Sequence, residues 1–332
     1  MNAIKKIGLT ALAGSLVATS VFAGEMTVTG SAGIGLANQD KTDKGNGFSM
    51  TDEITFAGSG EMDNGWTVDV SMQLDNNAVG AAGNTMDNRS VKIGMGDMGS
   101  VTFYGHGGSS AMSAVDDVMP TAYGEAWDIL GTATTTSPSI GNGGAGATKL
   151  GSISGATANN MMVYKNSALV DGVSVTASYV PSDGTVVESS TSFAIAYTGV
   201  EGLTVGFATD ENGLAGTSGI DYDTYYAKYV YGPVTVGFQE STQDADGSTN
   251  DDEFSAMGVT YAVNDNLSIG YTVSEYDDDN NTSDEESTSI NFSYTMGSMT
   301  LAGASVSVDN QGGSSTSNND VSGYALDLSF AF

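Results

Sequence analysis

The chain of 332 residues has no cysteine and one histidine, His106. No disulfide framework, thiolate nucleophile or cysteine-based zinc site can be made from it, and one imidazole cannot form a histidine cluster around a metal. Proline is scarce, at 4 residues, and charged residues make up 15 %, against roughly a quarter in soluble globular domains. Positive charge is scarcer still: 9 Lys and Arg face 40 Asp and Glu, a formal charge of −31. Such a chain repels a phosphate backbone, which excludes nucleic acid as a partner. Beyond the N-terminal segment there is no run of about 18 apolar residues, so no helix of that kind can cross a bilayer.

At the start of the chain, Lys5 and Lys6 precede an apolar, small-residue stretch from Ile7 to Phe22 that closes on Val21-Phe22-Ala23. That is the layout of a secretory signal peptide, giving an expected division into a signal over 1–23 and a mature chain over 24–332. Cleavage removes two of the nine cations and leaves a charge of −33. Export without cysteine suits the envelope of a Gram-negative cell, reached through the periplasm.

Along the mature chain the dominant period is two. Tyr324, Leu326, Leu328, Phe330 and Phe332 alternate with Ala325, Asp327, Ser329 and Ala331; Leu267, Ile269, Tyr271 and Val273 alternate with Ser268, Gly270, Thr272 and Ser274. One face of each extended segment is bulky and apolar, the other small or polar. About sixteen such strands can be marked, the least regular being Asn160–Lys165 and Met299–Asp309. Tight turns and long polar connections follow one another in strict alternation, which puts every tight turn at one end of an up-and-down ribbon. The expected fold is all-β: a transmembrane antiparallel barrel of about sixteen strands, apolar outside and polar inside, with short periplasmic turns and longer external loops. Closure pairs every backbone group, as a lipid surround demands. Tyr179, Tyr197, Phe207, Tyr231, Phe238, Tyr261, Tyr276, Phe292 and Phe332 stand near strand ends, where aromatic girdles would place them.

In Glu25-Met26-Thr27-Val28-Thr29-Gly30, in the pair Asp87-Asn88-Arg89-Ser90-Val91-Lys92-Ile93-Gly94 and Gly99-Ser100-Val101-Thr102-Phe103-Tyr104-Gly105, and in the final Phe332, the chain resembles the general porins of Gram-negative bacteria, most closely the sixteen-stranded alphaproteobacterial type. The resemblance implies an outer-membrane homotrimer that passes small hydrophilic solutes, with outer-membrane lipid and lipopolysaccharide around it. It also implies that Phe332 is the assembly signal read by the barrel-assembly machinery. In one respect the chain departs from the family: such porins line the pore with an arginine cluster, whereas this chain has a single Arg, Arg89, and His106 stands where a basic residue is usual.

The connection 107–159 is too long for an ordinary loop. In a barrel this wide the lumen is otherwise open, so an inserted segment is the natural way to set pore size; the resemblance implies the same, since the third external loop of porins folds inward as the constriction. Its first half supplies the constriction candidates Asp116, Asp117, Glu125 and Asp128. Facing cations on the pore wall are Lys92, Lys165, Lys228 and His106. Arg89 is in phase with Val91 and Ile93 and points to lipid or the rim. The expected activity is passive diffusion of ions and small hydrophilic solutes, cation-selective because carboxylate rings repel anions.

Other signals carry less. Gly141-Asn142-Gly143-Gly144-Ala145-Gly146 matches a dinucleotide glycine pattern without its strand and helix. Asp277-Asp278-Asp279 and Asp244-Ala245-Asp246-Gly247 are fragments of calcium loops without the full ligand spacing. His106 with Ser109, Ser110 and Asp116 is a poor basis for a hydrolase. No cofactor, no metal site and no enzymatic activity is expected. A substrate-specific outer-membrane channel and a secreted β-rich adhesin are the alternative readings.

Overall fold

The computed structural model describes residues 26–40, 47–75, 86, 88–115, 118–129, 157–182, 187–214, 220–245, 251–279, 282–311, 313 and 320–332. The segment 1–23 lies outside them. In chain order the strands are β1 (Met26–Gln39), β2 (Gly47–Glu61), β3 (Thr67–Asp75), β4 (Asn88–Gly94), β5 (Ser100–His106), β6 (Gly108–Ser109), β7 (Thr157–Ala158), β8 (Met161–Val170) and β9 (Val173–Val180). They continue as β10 (Val187–Val200), β11 (Leu203–Leu214), β12 (Ile220–Tyr231), β13 (Val234–Ala245), β14 (Asp251–Ala262), β15 (Leu267–Asp278), β16 (Glu285–Met296), β17 (Met299–Asp309) and β18 (Val321–Ala331). Among the described residues between β6 and β7 are a 3-10 turn, Ser113–Val115, and a short α-helix, α1 (Ala126–Ile129). All strands but β6 and β7 form one closed barrel of neighbouring antiparallel pairs, and β6 pairs with β7 as a two-stranded ribbon.

The barrel closes where β1 meets β18, with Ile34 opposite Leu328 and Leu36 opposite Leu326. The seam is finished by the terminal residue: Phe332 N donates to Gly30 O and Gly30 N to Phe332 O, each at 2.9 Å. A Cβ on Gly30 would lie 2.7 Å from the Phe332 ring, so glycine there leaves the room the aromatic occupies.

Turn chemistry accounts for the alternation of connections. Around the barrel, the links after β2, β4, β8, β10, β12, β14 and β16 have two to five residues, and those at the other end have five or more, the longest being 107–160 between β5 and β8. Gly172 and Gly202 sit in two-residue turns at φ +73° and +75°, a region that residues with a Cβ rarely enter. The turn after β4 is held from β8, where Asn166 Nδ2 donates to Asp97 O at 3.1 Å and Tyr164 OH to Met98 O at 2.9 Å.

The two faces divide by phase, as the period of two requires. Outward side chains include Phe193, Phe207, Tyr225, Tyr229, Phe238, Met257, Tyr261, Tyr271 and Ile290, each at least 38 % exposed in the isolated barrel. Inward positions are small and hydroxylated, and some link across strands: Thr224 with Ser241 and Ser274 with Ser287, each pair at 2.6 Å. Two sequence expectations change here. Tyr276 belongs to the inward phase of Thr272 and Ser274, and its OH donates to Asp252 Oδ2 at 2.9 Å, so it is a lumen residue and not part of a girdle. The strand expected at Asn160–Lys165 continues to Val170, past an irregularity in its pairing with β9.

Candidate functional site

The site follows from what happens after β5. Gly107, at φ +67°, turns the chain away from the wall, and residues 108–115 and 118–129 then lie inside the barrel. Its backbone is hydrogen-bonded by wall side chains: Ala111 N donates to Ser178 Oγ at 3.1 Å, Met112 N to Ser192 Oγ at 2.8 Å and Ala122 N to Asn291 Oδ1 at 2.8 Å. At the far end the Tyr123 hydroxyl donates to Asp327 Oδ2 on β18. These partners span β9 to β18, so the segment lies along that side of the barrel.

Apolar contacts add to the polar ones. Ala111, Met112 and Val115 bury against Ala194 and Ala208, while Met119, Ala126, Trp127 and Ile129 bury against Phe254, Ala256, Ala304, Val306 and Val308. The Trp127 and Phe254 rings meet edge to face, centroids 5.1 Å apart, an arrangement worth about 0.5–1.5 kcal/mol beyond the area it buries. Close approach is possible because the wall is bare beneath Pro120: a Cβ on Gly237 would lie 2.5 Å from Pro120 Cδ, and one on Gly258 would lie 2.6 Å from Pro120 O.

The opposite wall, β2 to β5, is left uncovered by the described part of the segment. A recess of about 430 Å³ is bordered there by Thr27, Ser59, Asp69, Ser90, Lys92 and Thr102. Lys92 and Asp69 are cross-strand neighbours whose charged atoms are 3.8 Å apart, both side chains about half exposed at 49 % and 44 %. Nearer the long-loop end of the same wall, Gln73 Nε2 donates to Glu53 Oε2 at 2.8 Å, and Glu53 stands opposite Asp75. The free wall therefore carries Glu53, Asp69 and Asp75 against Lys92. In water an ion pair of this spacing is worth about 1 kcal/mol or less, so it holds the ammonium beside a carboxylate without removing either from solution.

A sixteen-stranded closed barrel with a segment folded into it is the architecture of a channel. Residues 8–314 match the Gram-negative porin family. The chain belongs to that family. Among solved structures, this porin is similar to an anion-selective porin from Comamonas acidovorans, 16 % identical with TM-score 0.68 over 93 % of this chain and 100 % of that one. It is also similar to OmpF of Salmonella typhi in complex with daunomycin, 14 % identical, TM-score 0.67, covering 93 % and 98 %. A third is the trimer form of OmpT, an outer membrane protein of Vibrio cholerae, 14 % identical, TM-score 0.64, covering 93 % and 100 %. Among curated proteins nothing matches. Family and fold make this an outer-membrane diffusion porin, a channel and not an enzyme.

The residues singled out from the sequence fall in different places. Asp116 and Asp117 lie outside the described residues, as does Gly141–Gly146, and for Asp128 only the backbone, in α1, is described. Glu125 is 3 % exposed, and its Oε1 accepts from Met119 N at 3.0 Å. This differs from the expected pore-lining position: the carboxylate turns back to hold its own segment, because folding the chain between Met119 and Glu125 leaves an amide that needs an acceptor. Lys92 borders the free wall. Lys165 lies under the inserted segment with Ala111, Ala114, Val115 and Thr176 around a recess of about 130 Å³. Lys228, opposite Gly237, is in the inward phase of Thr224 and Tyr226. A bulge at the end of β5 pairs Arg89 with His106 while Ser90 pairs with Tyr104, so alternation from Thr102 and Tyr104 does not by itself aim His106 into the lumen.

Sequence reasoning missed Glu53, Asp69 and Asp75 as lumen carboxylates and Tyr123 with Asp327 as a latch. The signal for the wall acids was available, since each occupies the polar phase of its strand beside Thr55, Ser71 or Gln73. Burial beside the Asp327 carboxylate pushes the Tyr123 phenol well above its ordinary range: desolvation is the largest cause, followed by the hydrogen bond and charge of Asp327.

Proposed function

We propose that this porin passes small hydrophilic solutes by passive diffusion between the inserted segment and the β2–β5 wall, and that it favours cations. The carrying observation is the charge on that wall, where Glu53, Asp69 and Asp75 outnumber Lys92. A net negative rim in a water-filled passage raises local cation concentration and repels anions. The constriction is the segment within 107–159, to which Asp116, Asp117 and Asp128 add further carboxylates; Lys165 and Lys228 temper the field near the segment, and His106 stands at its entry. The anion-selective porin from Comamonas acidovorans shares the fold at 16 % identity, and in this reading charge on the wall, not the fold, decides the sign. Reversal potentials of the purified protein in planar bilayers under a salt gradient test the proposal: cation preference is expected, and anion preference contradicts it.

The trimer form of OmpT supports a homotrimer here too. The chain is exported with its segment 1–23 removed, and Phe332, on the seam with β1, is the assembly signal received by the barrel-assembly machinery. Outer-membrane lipid and lipopolysaccharide surround the apolar outer face. Gel migration checks the assembly, with a trimer band before boiling and a monomer near the mature mass after it.

A further inference from the structure

Beneath the first part of the inserted segment, the lumen wall changes character. Ser178 on β9 and Ser192 on β10 are opposite one another, and they hold Ala111 N and Met112 N as a roof. In the next row toward the tight turns Lys165 pairs with Thr176, and Thr176 with Ala194. One row further Ser174 pairs with Ala196, and Gly206 pairs with Tyr226. A Cβ on Gly206 would collide with the Tyr226 ring, so the bare glycine lets that ring lie across β11 toward β10. Roof and rows enclose a recess of about 130 Å³, with Ala114 and Val115 above and Lys165, Ser174, Thr176 and Tyr226 supplying its polar lining. Lys228 follows Tyr226 on the same inward phase, about 7 Å along the strand, opposite Thr204 and Gly237.

The lining is a set of donors around one ammonium. A lysine brings three N–H donors and no acceptor, and each hydroxyl brings one O–H. Among the described residues Lys165 makes no ion pair, and no carboxylate lines the recess. The acids of these strands are placed elsewhere. Asp171 and Glu201 belong to the tight turns below, while Asp210, above on β11, accepts from Ser190 Oγ at 3.3 Å. Asp116 and Asp117 follow Val115 in the chain and lie outside the described residues, so their charge enters the test. The roof keeps water from one side of the ammonium, and an attraction there is stronger than in the open passage. An acceptor-only, compact oxyanion matches such a lining, and the small volume selects phosphate over a bulkier solute.

We propose that this recess is a phosphate site inside the lumen, with the anion on the Lys165 ammonium and the Ser174, Thr176 and Tyr226 hydroxyls and with Lys228 adding attraction from nearby. It is separate from the β2–β5 wall, so a channel that favours cations along one wall holds an anion on the other. The test is a titration of the full-length protein, processed as in its host and kept in a neutral detergent, at a mildly alkaline pH where phosphate is a dianion. Inorganic phosphate and glucose 6-phosphate are the probes, and binding is read as broadening of their phosphorus NMR lines. Saturable binding of one inorganic phosphate per barrel is expected, no weaker than that of glucose 6-phosphate. In K165Q the affinity should fall about tenfold, as loss of one charge-assisted hydrogen bond implies, with smaller losses in K228Q and Y226F. The double variant D116N/D117N should bind at least as tightly as the wild type. Unboiled gel migration checks the assembly of each variant, and Y226F, which keeps the ring over Gly206, carries the test where K165Q does not assemble. The readout needs no current, so loss of this site and failure of the diffusion reading are distinguishable. Unchanged affinity in K165Q overturns the proposal. So does phosphate binding that emerges only in D116N/D117N, which assigns the ammonium to those carboxylates, and so does binding of glucose 6-phosphate without inorganic phosphate.

Discussion

At the scale of single residues, a group's position relative to the inserted segment decides what it does, more than its charge. Glu125 is the clearest case. Its carboxylate is buried on Met119 N, so E125Q, which keeps an acceptor oxygen, should leave the reversal potential unchanged; a pore-lining acid would shift it. Asp69 and Lys92 face the open passage, and their substitutions should move selectivity in opposite directions. D69N lowers and K92Q raises the cation-to-anion permeability ratio by about two- to fivefold, matching interactions of about 0.5–1 kcal/mol in water. Tyr123 is the segment's latch to Asp327. Removing its hydroxyl in Y123F costs about 1.5–3 kcal/mol, the range for a hydrogen bond to a charged group, and should raise open-channel current noise. Its phenol pKa is raised in the folded protein. The latch is therefore fully present below the ordinary phenol value of about 10 and is lost only as pH rises through the raised value. Wild-type noise should accordingly stay flat from neutral pH up to the ordinary phenol range.

At the scale of elements, the inserted segment and the wall behind it are complementary in shape. Where Pro120 crosses, Gly237 and Gly258 leave the wall bare; where Trp127 and Ile129 lie, the inward phase changes from hydroxyls to Phe254, Ala256, Val306 and Val308. G258A should push the backbone at Pro120 toward the passage, at a cost of about 1–3 kcal/mol for overpacking, and lower single-channel conductance. G60A, with nothing within 4 Å of the added carbon, should leave conductance unchanged. The same pairing explains what could be read from sequence. Strand number, the order of tight and long connections and the outward apolar phase follow from local chemistry, and β17 spans Met299–Asp309 as its sequence suggested. Its irregular alternation has a tertiary cause: Val306 and Val308 turn inward to back the segment while Ser305 and Ser307 turn outward. No local rule reports which inward positions face water and which face the inserted chain, and this is why Glu125 was expected in the passage and Asp69 was not considered.

At the scale of the whole molecule, diffusion needs one aqueous path running beside the segment through a barrel whose greasy side faces lipid. The terminal strands close that barrel through Gly30 and Phe332, which leaves no open edge for the bilayer to reject. The scarcity of cations bears on two walls of the lumen: along β2–β5 Lys92 is outnumbered by carboxylates, while Lys165 and Lys228 stand on the side of the segment. The most direct measurement of the central claim is swelling of liposomes containing the purified protein in a graded series of neutral sugars. Swelling rates are predicted to fall smoothly with sugar size and to rise linearly with concentration, as diffusion through water requires. Rates no faster than those of protein-free liposomes, or rates that saturate with one sugar, would contradict an open diffusion path.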